Sequence, residues 1–195
     1  NTYRRSATLL MVKAVFDVEG KDVVDRLFVH FSLSRGLYCT IEGMPITQEF
    51  LSRVEARMRR LAEEAKPIGK HSLNTTEAIR RFQRHGMDDK VKLFNYRRVS
   101  RVNVYNLGRL EDYFYGYMVP DTSYIKYFAL FPYDEGFVLQ LPVKKDPKVI
   151  PPFEPQHKLF QVLKESTRWG DMQGIETVGA LNDKITGGDA TELVL

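Results

Sequence analysis

Cysteine is nearly missing from this chain. A single residue, Cys39, stands among 195, so no internal disulfide can form and a reducing, cytoplasmic setting fits. Histidine is scarce too. His30, His71, His85 and His157 show neither H-x-x-x-H nor H-E-x-x-H spacing, and none joins a cysteine in a zinc pattern. Long apolar runs are also lacking. The stretch Leu9–Val12 is broken by Lys13, and no run approaches the length of a membrane span, so neither a spanning helix nor a secretory leader is expected. Three signatures of nucleotide and nucleophile chemistry do not occur. These are the phosphate loop G-x-x-x-x-G-K-[ST], a glycine fingerprint after a strand, and the G-x-S-x-G elbow. Gly187-Gly188-Asp189 is only a turn. The chain is therefore expected to carry no complete catalytic site, no metal and no resident cofactor.

What is present is an ordinary globular balance of 43% hydrophobic and 28% charged residues. A chain of this length buries roughly 70% of its unfolded surface, enough for a real core. The net charge of +4 is mildly basic. It permits a nucleotide or nucleic-acid partner without demanding one. The chain opens at Asn1, and Thr191–Leu195 reads as the first turn of an unfinished helix, so a longer parent protein is expected.

Patterning predicts an α+β fold: an antiparallel sheet with helices packed on one side, plus a small helical C-terminal segment. Ser6 is placed to cap a first helix through Leu9, Leu10, Lys13, Ala14 and Val15, apolar around most of its circumference and closed by Gly20. Alternation over residues 26–42, with Ser34-Arg35-Gly36 at the turn, predicts a β-hairpin. Were Ser34-Arg35 its two-residue turn, His30 would face Cys39; two ligands do not hold zinc, so a structural role is favoured. Thr47 caps the clearest amphipathic helix, carrying Phe50, Leu51, Val54, Met58, Leu61 and Ala62 and ending before Pro67. A short strand near Ile68–Leu73 precedes a helix capped by Thr75 or Thr76 and closed by Gly86. Strands are expected at 101–107, 110–118, 125–131 and 136–142. Residues 143–155 form a proline-rich linker, and two helical patterns follow at 156–167 and 175–186.

Basic residues concentrate on the long helix at Arg53, Arg57, Arg59 and Arg60, on the next at Arg80, Arg81 and Arg84, and around Tyr96-Arg97-Arg98 and Arg101. Arg57, Arg60, Arg81, Arg97 and Arg98 are the candidate anion or nucleic-acid contacts. The competing reading is a solvated face with i, i+4 pairs Glu49–Arg53 and Arg60–Glu64, and it is the favoured one. Tyr113, Tyr115 and Tyr117 alternate with Phe114, Gly116 and Met118, as the two faces of a strand would. A tyrosine stripe of that kind can stack on a nucleobase, though it more commonly packs under other chain.

Several of these segments are specific enough to suggest kinship. Arg4-Arg5-Ser6-Ala7-Thr8-Leu9-Leu10 with Lys13-Ala14-Val15, the hairpin from Gly36-Leu37-Tyr38 to Glu42-Gly43, the Pro45–Pro67 helix and Gly116-Tyr117-Met118-Val119-Pro120-Asp121-Thr122 resemble the second additional domain of threonyl- and alanyl-tRNA synthetases. That domain edits mischarged tRNA. Pro151-Pro152-Phe153-Glu154, Lys158-Leu159-Phe160, Arg168-Trp169-Gly170 and Val178-Gly179-Ala180-Leu181-Asn182 are similar to the region that joins such a domain to the kinase half of uridine kinase-like proteins.

The resemblance implies three segments: a degenerate editing-like domain at 1–142, the linker at 143–155, and a helical connector at 156–195 leading to a kinase domain. It implies a non-catalytic N-terminal module of a nucleoside kinase. The parent would use ATP and Mg²⁺ on residues outside this chain, with its own C-terminal kinase domain as partner and with a nucleotide, RNA or a second copy as further partners. The alternative it implies is an aminoacyl-tRNA editing hydrolase or an RNA-binding module. The editing site of the synthetases uses H-x-x-x-H on the first helix and C-x-x-x-H on a strand. Those positions fall here on Arg5, Leu9, Phe114 and Met118, a vacated set expected to form an apolar plug with Arg5 at its rim, pairing to a carboxylate such as Asp112 or Glu111 or holding an anion.

Overall fold

The computed structural model describes residues 1–84, 86–96, 100–172, 174–175 and 178–187, without the side chains of Asp89 and Val178. It divides into two compact units. One comprises Asn1–Lys70 with Tyr105–His157, the other His71–Val104 with the chain from Lys158.

The first unit is built around helix α1, Thr2–Glu19, in which every residue from Ser6 to Val15 is buried. Its polar side chains are satisfied close to home. Ser6 Oγ donates to Thr2 O at 2.9 Å, Thr8 Oγ1 donates to Arg4 O at 3.0 Å, and Lys13 meets Asp17 at 2.5 Å. Ser6 therefore lies inside the helix and not at its cap. A serine hydroxyl bonded to the carbonyl four residues back is compatible with a helix interior. Gly20, at φ 91°, closes the helix as expected, and the four-residue α2, Lys21–Val24, follows.

Strands β1, Leu27–Leu33, and β2, Gly36–Ile41, form the expected hairpin. Ser34 and Arg35 both take positive φ, as a tight turn between right-twisted strands requires. The pairing begins Leu33↔Gly36 and Ser32↔Leu37 but has slipped by one at Val29↔Cys39. One extra residue in β1 accounts for the slip. Cys39 thus faces Val29, and His30 instead lies 2.7 Å from Thr40 Oγ1. The expected juxtaposition of His30 and Cys39 is not formed. Burial pushes the Cys39 thiol well above its ordinary pKa.

Helix α3, Gln48–Glu63, starts where Thr47 Oγ1 accepts from Phe50 N at 3.1 Å. It buries Phe50, Leu51, Val54, Met58 and Leu61 and packs on α1. Strands β6, Ala129–Tyr133, and β7, Gly136–Gln140, complete an antiparallel sheet of order β1-β2-β7-β6. Leu37, Cys39 and Ile41 of β2 and Phe137 and Leu139 of β7 share one core with α1 and α3. The fold is α+β, with two sheets in place of a single one: β3, Gly69–Asn74, β4, Arg101–Leu107, and β5, Leu110–Tyr113, form a second, in the order β3-β4-β5.

Three strand boundaries differ from expectation. The 110–118 strand stops at Tyr113, the 125–131 strand starts only at Ala129, and the last ends at Gln140. A 3₁₀ turn, Thr122–Tyr124, precedes the second, with Asp121 Oδ1 accepting from Ser123 N at 2.8 Å. Between β7 and the next helix, Phe153 stacks on Phe131 at 6.0 Å and meets Tyr133 edge-on at 5.1 Å.

The second unit holds α4, Thr75–Arg84, α5, Asp88–Tyr96, most of α6, His157–Met172, and α7, Val178–Gly187. Asn74 caps α4, its Oδ1 accepting from Glu77 N at 2.8 Å, in place of Thr75 or Thr76. Phe82 of α4 stacks on Phe94 of α5 at 5.6 Å. Among the described residues, no helix is long and apolar enough to cross a membrane.

Gly136 sets a packing limit in the first sheet. A Cβ there would lie 2.1 Å from the Cys39 carbonyl oxygen, a backbone atom that cannot swing aside. Gly136→Ala should cost about 1–3 kcal/mol of stability through overpacking. Urea unfolding checks this by a lowered midpoint with an unchanged slope.

Candidate functional site

The N-terminal half of α1 meets the segment after β5, and backbone groups fasten the two together. Val119 N donates to Ser6 Oγ at 3.0 Å and Arg5 Nε donates to Tyr117 O at 3.1 Å, while Tyr105 of β4 holds the same segment by donating its hydroxyl to Gly116 O at 2.5 Å. Tyr3 adds a fourth tie: its hydroxyl donates to Tyr127 O at 2.8 Å and accepts from Tyr127 N at 2.9 Å. Burial raises the Tyr105 phenol above its ordinary pKa, so it stays a donor at neutral pH.

Gly116 makes the approach possible. It sits at φ 109°, and a Cβ on it would fall 2.8 Å from Arg5 Cζ. This bend is why the strand ends at Tyr113. Beyond Tyr113 the segment is not a strand, yet its two sides still alternate: Tyr115 and Tyr117 are 74% and 73% exposed, while Phe114 and Met118 pack against the core.

The four positions that the resemblance marks as a vacated site are placed as follows. Leu9 is fully buried in the core, and Phe114 and Met118 are half-buried against that same core. Arg5 gives its Nε–H to a backbone carbonyl, not to the expected Glu111 or Asp112 carboxylate. These residues do not fit a metal ion. Leu9 and Phe114 have no donor atom, the Met118 thioether is a soft ligand, and the Arg5 guanidinium is a cation. Among the described residues, no three His, Cys, Asp or Glu side chains gather as a metal would need.

The candidate anion contacts separate. Arg57 and Arg60 lie in the first unit, Arg81 in the second, and Arg97 and Arg98 fall outside the described residues. On α3 Arg59 pairs i, i+4 with Glu55 at 2.6 Å, but the expected pairs Glu49–Arg53 and Arg60–Glu64 are replaced by others. Arg53 reaches Glu19 at 2.6 Å, and Arg57 reaches both Asp17 at 2.8 Å and Glu64 at 3.0 Å. Their partners come from α1 and from the helix end because α3 packs along α1. Arg57 and Lys66 together hold the Glu64 carboxyl below the usual carboxylate range.

Sequence patterning missed a cleft. Lys13, Phe16, Asp17, Arg57, Arg60, Lys66, Gly108 and Arg109 line a concavity of about 560 Å³ in the first unit. Its residues come from α1, α3 and the two turns beyond α3 and β4, so no single stretch of sequence announces it.

No protein-family model matches the chain. Threonine–tRNA ligases do. That of Pelobacter propionicus is 34% identical over 128 residues, 65% of this chain and 20% of that protein. That of Anoxybacillus flavithermus is 34% identical over 129 residues, again 65% and 20%. That of Thermoplasma volcanium is 31% identical over 111 residues, 53% and 16%. The chain spans about a fifth of the length of these relatives. The synthetase side of the resemblance is thus supported, and the uridine kinase side draws no support from these relatives.

Ser6 is the joint between α1 and the 116–119 segment, and it can be tested alone. Ser6→Ala leaves the Val119 N–H without its acceptor, so a loss of about 1–3 kcal/mol is expected. Hydrogen exchange at the Val119 amide should accelerate with it.

Proposed function

We propose that this chain is a domain of the aminoacyl-tRNA editing type that acts by binding its RNA ligand, not by hydrolysing an ester. One observation carries the reading: Leu9 lies in the core that Phe114 and Met118 pack against, and the Arg5 guanidinium donates to the Tyr117 carbonyl, so none of the four positions offers a base or a metal ligand. Hydrolysis of an aminoacyl ester needs a group that takes a proton from water, or a metal that activates it. Leu9 and Phe114 can do neither. The Met118 thioether is a negligible base, and a guanidinium is a donor with no acceptor to offer.

The stretch of similarity to threonine–tRNA ligases supports the RNA side of this reading. The fastened backbone supports its structural side. Ser6, Arg5, Tyr105 and Gly116 hold together the stretch of chain in which these positions lie. A nucleoside-kinase parent using ATP and Mg²⁺ remains an expectation of sequence resemblance, and neither the fold nor the relatives add to it.

The test is a deacylation assay. Purified protein incubated with mischarged aminoacyl-tRNA should release amino acid no faster than buffer. Metal analysis of protein prepared without a histidine tag should find well under one zinc per chain. Turnover above background, abolished by substituting Arg5, would overturn the reading.

A further inference from the structure

The cleft that sequence patterning missed lies away from the vacated site. Asp17 is twelve residues beyond Arg5 on α1, about 18 Å along the helix axis at 1.5 Å per residue. Five cations line it, Lys13, Arg57, Arg60, Lys66 and Arg109, against one lining carboxylate, Asp17. Phe16 forms an apolar wall, and the Lys13 ammonium sits 5.0 Å above its ring.

The cations fall into two groups. Three are held by carboxylates in a continuous chain. Lys13 meets Asp17 at 2.5 Å, Asp17 meets Arg57 at 2.8 Å, Arg57 meets Glu64 at 3.0 Å, and Glu64 meets Lys66 at 3.1 Å. This chain fixes Arg57 from both sides and so presents its guanidinium in one orientation. The other two, Arg60 and Arg109, are exposed, and their side chains make no hydrogen bond or ion pair among the described residues. Counting Glu64, five positive groups face two negative ones, a local excess of three. Lys13 is 8% exposed and lies against Gly108, where a Cβ would come within 3.5 Å of Lys13 Cε. A largely desolvated ammonium interacts more strongly with an incoming anion than one in water.

We infer that this cleft binds phosphate, with Arg60 and Arg109 as the groups that take hold of it and the Lys13–Asp17–Arg57–Glu64–Lys66 chain as the preorganised floor. The fork geometry of guanidinium suits phosphoryl oxygens, which accept two parallel hydrogen bonds from one arginine. The volume of about 560 Å³ lies in the range of ligand sites, about 300–1,000 Å³. The phosphate comes either from a small phosphorylated ligand or from an RNA strand. The inference extends the binding reading above but does not need it.

Two probes separate the sources: inorganic pyrophosphate by calorimetry, and a short fluorescein-labelled single-stranded RNA by anisotropy, both at low salt. Arg60→Glu/Arg109→Glu should weaken binding about tenfold or more, and Arg60→Gln/Arg109→Gln by less, because phosphate contacts act through charge. Arg80→Glu, an exposed change on α4, should leave binding unaltered. Pyrophosphate binding without RNA binding assigns the cleft to a small phosphorylated ligand. RNA binding that pyrophosphate displaces and added salt weakens assigns it to a strand. Failure of both probes to bind, or binding that survives Arg60→Glu/Arg109→Glu, would overturn the site. Deacylation of aminoacyl-tRNA by the wild-type chain would sink the binding-module reading and leave this cleft standing.

Discussion

A helix buried on all sides must satisfy its polar side chains within itself or through the chain wrapped around it, because an unpaired polar group in a dry core costs as much as a lost hydrogen bond or more. α1 meets this demand along ten successive buried residues. Ser6 and Thr8 turn back onto carbonyls one turn earlier, and Lys13 turns forward onto Asp17. Having donated its hydrogen to Thr2 O, the Ser6 hydroxyl keeps its acceptor lone pairs, and the Val119 amide uses one. That bond, with Arg5 on the Tyr117 carbonyl, fixes the path of the segment after β5. At its other end Asp17 draws in Arg57 and so ties α3 to α1. The candidate site and the cleft are both products of how this one helix settles its polar groups.

Much of this arrangement was legible in the sequence because it is local. The Ser34-Arg35 turn, the Thr47 cap and the apolar stripe of α3 each follow from a few neighbouring residues. The failures share a cause in non-local geometry. His30 and Cys39 were expected to face each other from turn length alone, but an extra residue within β1 shifts the register after the turn is made. Asn74 outcompetes Thr75 and Thr76 as the α4 cap, since the last residue of β3 is already extended and its side chain reaches Glu77 N. α5 escaped notice because its stabilising contact, Phe94 on Phe82, belongs to another helix.

The candidate site was legible in a different sense. Family resemblance pointed to Arg5, Leu9, Phe114 and Met118, and the fold brings α1 and the 114–118 segment together. Strand periodicity was nonetheless the wrong reason to expect the last pair on one face. β5 has ended before Phe114. Phe114 and Met118 pack against the same core because the chain turns at Gly116, where the Arg5 guanidinium lies close over a residue without a side chain. A turn centred on a glycine can bring two residues four apart to one side as effectively as a pleat does.

The two ends of α1 also differ in what explains their chemistry. At the N-terminal end, apolar residues where ligands would converge are what stability alone would select: Leu9, Phe114 and Met118 add to the core and leave nothing unpaired. At the C-terminal end stability is a poor explanation. Burying an ion pair gains little over packed hydrophobic residues of similar volume, because desolvation offsets the Coulomb attraction. A leucine at position 13 would extend the run of buried apolar residues without needing Asp17 to neutralise it. The presence of Lys13 there, 8% exposed and linked through Asp17 to Arg57, is accounted for if the charge is used. Asp17 keeps the ammonium and the guanidinium side by side where their mutual repulsion would otherwise part them, and it leaves the excess of positive charge facing the cleft. Apolar side chains that serve the core stand at one end of the helix, and a charged arrangement that stability does not require stands at the other.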